Sequence, residues 1–146
     1  MRSEKGFTLV EILIVIVVIA AIFSFMGITV SGMQNEAKTS KARADIRTIQ
    51  VAVEAYHKNN GHSFPAEENY QRILLDASPR ILPSNMFDPF AKVINTQYQY
   101  KLSPNGKYYA IYSLGIWRRG EVSVSDSGNV TITNEAIYVT NGKIEE

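Results

Sequence analysis

Glu11 is the one charged side chain between Phe7 and Val30. It sits in FTLVEILIVIVVIAAIFSFMGITV, where Ile12 to Phe23 is unbroken apolar sequence. A charge near the middle of a membrane helix costs about 2.5–3.5 kcal/mol on insertion scales, so an acid kept in such a run is a functional candidate that calls for a partner. The residues just upstream supply one. MRSEKG is a short polar, basic leader, and a cut after Gly6 would leave an amino group on Phe7, four residues before Glu11. That spacing puts both on one side of a helix. Pairing would relieve both charges, and losing either partner would leave the other uncompensated, so the pair would set register as well as bind. Two plainer roles use the same residue. Glu11 lies within about 6 Å of the helix start and could snorkel to the membrane edge, or it could stabilise its own helix N-terminus through the macrodipole.

The rest of the chain offers little reactive chemistry. His57 and His62 are the only histidines, and zinc needs more ligands than two; they read as surface residues. Glu67 and Glu68 read as solvated, and no nucleophile–base pattern appears, so an enzyme is not expected. Asn129-Val130-Thr131 is a formal glycosylation acceptor. Arg118-Arg119 beside Trp117 fits either a contact for a partner or an anion, or a solvated loop. The absence of cysteine removes disulfides and thiolate chemistry. With 15 basic and 14 acidic side chains in 146 residues, there is no electrostatic footprint for nucleic acid.

The elements that must position these residues are legible from periodicity. Residues 7–30 would make about 36 Å of helix, longer than a bilayer core of about 30 Å, and are read as a retained transmembrane segment rather than a cleaved secretory signal. Met33 to Asn60 contains neither proline nor glycine, and Ala42, Ile46, Ile49, Val53 and Tyr56 recur on one face. One long helix is therefore expected, stopping at Asn59-Asn60-Gly61, with Gly27 and Gly32 as its weak points. Residues 67–75 suit a short helix burying Tyr70, Ile73 and Leu74. Strands are expected over 97–102, 108–114, 122–124, 130–132 and 136–140. Asn105-Gly106 and Asp126-Ser127-Gly128-Asn129 mark the hairpin turns. The fold class is α+β: a long N-terminal helix, its first half transmembrane, packed on a small antiparallel sheet. The divisions are 1–6 leader, 7–30 transmembrane helix, and 31–146 globular domain including the second half of the long helix. Tyr56, Trp117 and the tyrosines from 98 to 112 are assigned to packing.

Gly6-Phe7-Thr8-Leu9-Val10-Glu11 followed by the apolar run closely resembles the class III signal of type IV pilins and type II secretion pseudopilins. Ala44 to Ile49, Tyr56 to Pro65, Asp88-Pro89-Phe90, Tyr98-Gln99-Tyr100 and Tyr112-Ser113-Leu114-Gly115 resemble the major pseudopilins, so the likeness covers most of residues 1–115. The resemblance implies cleavage between Gly6 and Phe7 by a prepilin peptidase, N-methylation of Phe7, and assembly through Glu11 and the Phe7 amine of a neighbouring subunit. It implies a pilin-like fold and a structural subunit of a type II secretion pseudopilus or related filament. The partners would be further copies, minor pseudopilins, an inner-membrane assembly platform and the membrane, with no nucleic acid. The location would be the inner (cytoplasmic) membrane, single-pass, with the C-terminal domain periplasmic or extracellular until assembly. A type IV or competence pilin for adhesion, motility or DNA uptake is the alternative within this class, and a membrane-anchored binding module that never polymerises is the alternative outside it.

The pattern departs from the family in three places. A proline is common where this chain has Ile28. Many Gram-negative type IV pilins close a C-terminal loop with a disulfide, which this chain cannot form. Major pseudopilins often bind calcium through an acidic loop after the Ser-Leu-Gly strand, but here IWRRGEVSVSDSGNV offers only Glu121 and Asp126. Calcium takes six to eight oxygens, so no cofactor is expected, with calcium as the lesser alternative.

Overall fold

The computed structural model describes residues 7–144, the side chains of 25–31 excepted. Its elements are α1 (Leu9–Asn59), α2 (Tyr70–Asp76), β1 (Gln99–Leu102), β2 (Tyr109–Ser113), β3 (Glu121–Val124), β4 (Asn129–Thr133), β5 (Ile137–Thr140) and β6 (Lys143–Ile144). Contacts divide the chain into two units, one ending at Glu36 and one beginning at Ala37.

The first unit contains the start of α1, where every described side chain from Phe7 to Phe23 is exposed. Among the described residues no helix is long and apolar enough to cross a membrane. The expected span over 7–30 includes 25–31, whose side chains lie outside the described set, and the leader 1–6 also lies outside it.

In the second unit α1 buries Ala42, Ile46, Ile49 and Val53, with Tyr56 half-buried, the stripe that 3.6-residue periodicity requires. The helix stops where Gly61 takes φ 64° and His62 φ 61°. The left-handed turn, easy for glycine, lets the His62 N–H donate to the His57 carbonyl at 3.0 Å and satisfies an end carbonyl.

The stripe packs on Tyr98, Tyr100, Tyr109 and Ile111, together with Tyr70, Leu74, Leu82 and Phe90. Two hydroxyls from this layer donate to acids on α1: Tyr98 to Asp45 at 2.9 Å and Tyr109 to Glu54 at 2.6 Å. The strands form two sheets rather than the single one expected, in the orders β1-β2-β5 and β3-β4-β6. Both are antiparallel except for a short β4–β6 pair, which runs parallel. The reason lies in β2, which is buried along its whole length. Tyr109 and Ile111 face the helix core, while Ala110 and Tyr112 form a second core with Val122 and Val130 of the other sheet and with Ala136, just before β5.

Helix α2 starts later than the sequence suggests, after Asn69 at φ 58°. It buries Tyr70, Gln71 and Leu74 and leaves Ile73 half-buried. Gln71 is held by both ends of its amide: Nε2 donates to the Met86 carbonyl at 2.9 Å and Oε1 accepts from the Met86 N–H at 2.8 Å. Strand β1 starts at Gln99, and Gln97 instead bridges Phe87. Glu67, read from sequence as solvated, straps β1: its Oε1 accepts from the Leu102 N–H at 2.7 Å.

Candidate functional site

The helix N-terminus is built from Phe7, Thr8 and Glu11. Thr8 is the cap. Its Oγ1 accepts from the Glu11 N–H at 3.3 Å, and its carbonyl accepts from the Glu11 and Ile12 N–H groups at 3.1 and 3.3 Å. Thr8-Leu9-Val10-Glu11 therefore has the Thr-x-x-Glu spacing of a capping box. Sequence reading singled out Glu11 for its charge and passed over Thr8, although that spacing carries the signal. The Glu11 carboxylate occupies the first turn, where the helix dipole favours negative charge. Phe7, 79% exposed, lies just before the first turn of α1, four residues ahead of Glu11. Gly6, the other half of the expected cleavage site, lies outside the described residues. Around this site runs a long exposed stretch of Leu, Ile and Val, far more apolar surface than a soluble monomer leaves uncovered.

A second constellation joins two of the motifs read from the sequence. Asp88 is buried, and its carboxylate ties Asp88-Pro89-Phe90 to Ser113-Leu114-Gly115. Oδ1 accepts from the Phe90 N–H at 2.9 Å and the Ser113 hydroxyl at 2.7 Å, and Oδ2 accepts from the Leu114 N–H at 2.9 Å. A buried carboxylate is tolerated when its lone pairs are satisfied in this way. The arrangement holds a loop against the end of β2, with each carboxylate oxygen engaged by a donor of the chain.

With both motifs placed, the likeness to known families has a structural footing. Residues 1–27 match the prokaryotic N-terminal methylation motif, and residues 29–132 match the family described as type II secretion system protein G. The chain belongs to the type II secretion system protein G family. It is 27% identical to a type II secretion system core protein G of Klebsiella michiganensis over 87% of this chain and 84% of that protein. Against the core protein G of Vibrio cholerae it is 28% identical over 90% of this chain and 95% of the other. The corresponding protein of Pseudomonas aeruginosa is 27% identical over 78% of this chain and 84% of its own length. No solved structure matches the chain.

For a protein G family member the loop after Ser113 is the place to test for calcium, and these residues do not fit it. The loop closes on itself through Gly120 N–H to the Leu114 carbonyl at 2.8 Å and Arg118 N–H to the Gly115 carbonyl at 2.9 Å. It carries Arg118 and Arg119, whose charges oppose a cation. Asp126 is already used to join two turns, its Oδ1 accepting from the Asn105 N–H at 2.7 Å and its carbonyl from Asn105 Nδ2 at 2.8 Å. Among the described residues no three His, Cys, Asp or Glu side chains converge as a metal site would require.

The remaining candidates separate clearly. His57 is not a plain surface residue: its ring stacks on Phe64 with centroids 4.1 Å apart and meets His62 edge-on at 5.2 Å. In the formal glycosylation triplet Asn129-Val130-Thr131, Val130 is a buried residue of β4. Trp117 was assigned to packing, but it is 67% exposed and donates its indole N–H to Glu135 at 3.3 Å. The adjoining Arg118 takes φ 56° within a turn closed by its N–H on the Gly115 carbonyl, a conformation that composition does not encode.

Proposed function

We propose that this protein is a structural subunit of a type II secretion pseudopilus. A prepilin peptidase cuts between Gly6 and Phe7, Phe7 is N-methylated, and residues 7–30 hold the subunit in the inner membrane with its C-terminal domain outside the cytoplasm. On assembly, Glu11 pairs with the Phe7 amine of a neighbouring subunit. Minor pseudopilins and an inner-membrane platform complete the machine. The protein is not an enzyme and uses no cofactor.

One observation carries this reading. The one carboxylate of the exposed, apolar start of α1 (residues 9–24) stands four residues after Phe7, inside the stretch that matches the N-terminal methylation motif. A filament core lets such a helix bury its apolar surface against copies of itself while each carboxylate meets an ammonium.

The test is intact mass of the membrane-extracted protein together with filament formation by Glu11→Ala. The expected outcome is a chain starting at methylated Phe7, and loss of filaments in the variant while the globular domain keeps its circular dichroism. A chain still starting at Met1 in cells with active peptidase, or normal filaments from Glu11→Ala, would overturn it in favour of a plain membrane anchor.

A further inference from the structure

The two edges of the first sheet are treated differently. The β1 edge carries Lys101 and is strapped by Glu67, the usual means by which proteins keep an edge from pairing with another chain. The β5 edge has no such guard. Ile137-Tyr138-Val139-Thr140 contains neither charge nor proline. It pairs with β2 on one side only, and among the described residues its backbone makes no further hydrogen bond.

Beside that open edge lies a groove of about 560 Å³ between β5 and α1. Ile137, Tyr138 and Val139 form one wall, Arg43 and Arg47 of α1 the other, and Ile116 with Glu135 one end. Among the described residues, Arg43 and Arg47 make no ion pair. Glu135 is engaged by the Trp117 indole.

We propose that this groove binds an extended segment of another protein, which adds a strand to β5 and sets two carboxylates, two residues apart, against Arg43 and Arg47. The spacing supports this occupant. Arginines at i and i+4 of a helix are about 6 Å apart along its axis, and same-face residues of a strand repeat about every 6.7 Å. Strand addition supplies backbone hydrogen bonds, and the flanking pockets and charges supply selectivity. The occupant is a different protein rather than a second copy, because nowhere in this chain are two acids separated by one residue. The proposal goes beyond the filament reading, and processing at Phe7 and assembly through Glu11 do not depend on it.

The test uses the full-length protein in detergent and a labelled peptide, TVEVEVT, followed by fluorescence anisotropy. Saturable binding is expected, with slowed hydrogen exchange at the amides of residues 137–140. The double variant R43E/R47E should weaken binding about tenfold or more, since two attractive pairs become repulsive, and should regain affinity for TVKVKVT. R43Q/R47Q, which introduces no new charge, should give an intermediate loss. N–H groups of alternate residues face β5, so of two blocked peptides, TVEPEVT and TVEVEVT N-methylated at both glutamates, one should bind poorly. Equal affinity for the acidic and basic peptides, or undiminished binding of both blocked peptides, would overturn the proposal. Loss of filaments by a folded R43E/R47E would assign the groove to a second copy instead. Arginine-dependent binding of an oligothymidylate that displaces the peptide would assign it to nucleic acid.

Discussion

Glu11 and Asp88 are both carboxylates within family motifs, yet their surroundings make opposite demands. Asp88 is closed in by three donors from two segments of the fold, so its role is exhausted within the chain. Asp88→Ala would strand those donors in a buried site and should lower unfolding free energy by about 2–4 kcal/mol, read from urea titration of the full-length protein in detergent. Ser113→Ala removes one donor only and should cost about 1 kcal/mol. Glu11, by contrast, has its backbone N–H capped by Thr8, and among the described residues its carboxylate meets no donor. Two substitutions separate capping from assembly. Thr8→Ala should weaken the first turn by about 1 kcal/mol and leave filaments largely intact, whereas Glu11→Gln, nearly the same shape without the charge, should abolish them. Electron microscopy of sheared filaments distinguishes the two outcomes.

At the scale of elements, the long helix was legible because its apolar residues obey one period. Ala42, Ile46, Ile49 and Val53 are buried as that period requires, and Val51, off the stripe, is exposed. Ile49→Ala should therefore cost about 2–5 kcal/mol, and Val51→Ala less than about 0.5 kcal/mol, both by thermal unfolding. The hairpins were legible for a different reason: Asn-Gly and Asp-Ser-Gly-Asn specify their turns locally, and Val122 pairs with Ile132 and Val124 with Val130. Contacts between distant segments were not legible. Nothing near Lys143 shows that it runs parallel to β4, and nothing near Asp88 shows that its partner is Ser113. Of the N-terminal site, the acid and its spacing from Phe7 could be read directly, while the threonine cap needed coordinates to draw notice. The outward loop after β2 depends on close backbone contact: Gly115 has φ 70°, and a Cβ there would lie 2.7 Å from the Glu135 carbonyl oxygen. Gly115→Ala should destabilise the protein by about 1–3 kcal/mol.

For the molecule as a whole, tyrosine is the main polar component of the helix–sheet core. Burial pushes the hydroxyls of Tyr70, Tyr98, Tyr100 and Tyr109 well above the usual tyrosine pKa of 10.0, and for Tyr98 and Tyr109 a carboxylate partner adds to the rise. In this range the folded chain keeps protons that the unfolded chain releases, so stability is full below pH 10 and falls as pH rises beyond it. Tyrosinate absorbance from these residues should appear together with loss of secondary structure, not before it. Trp117 behaves in the opposite way. It is the sole tryptophan, already two-thirds in solvent at the tip of its loop, so unfolding changes its surroundings little. Its fluorescence will be nearly blind to denaturation, but a molecule that covers the loop will shift its emission to the blue. The protein thus carries an intrinsic optical probe tuned to contact, and a folding study must use the tyrosines instead.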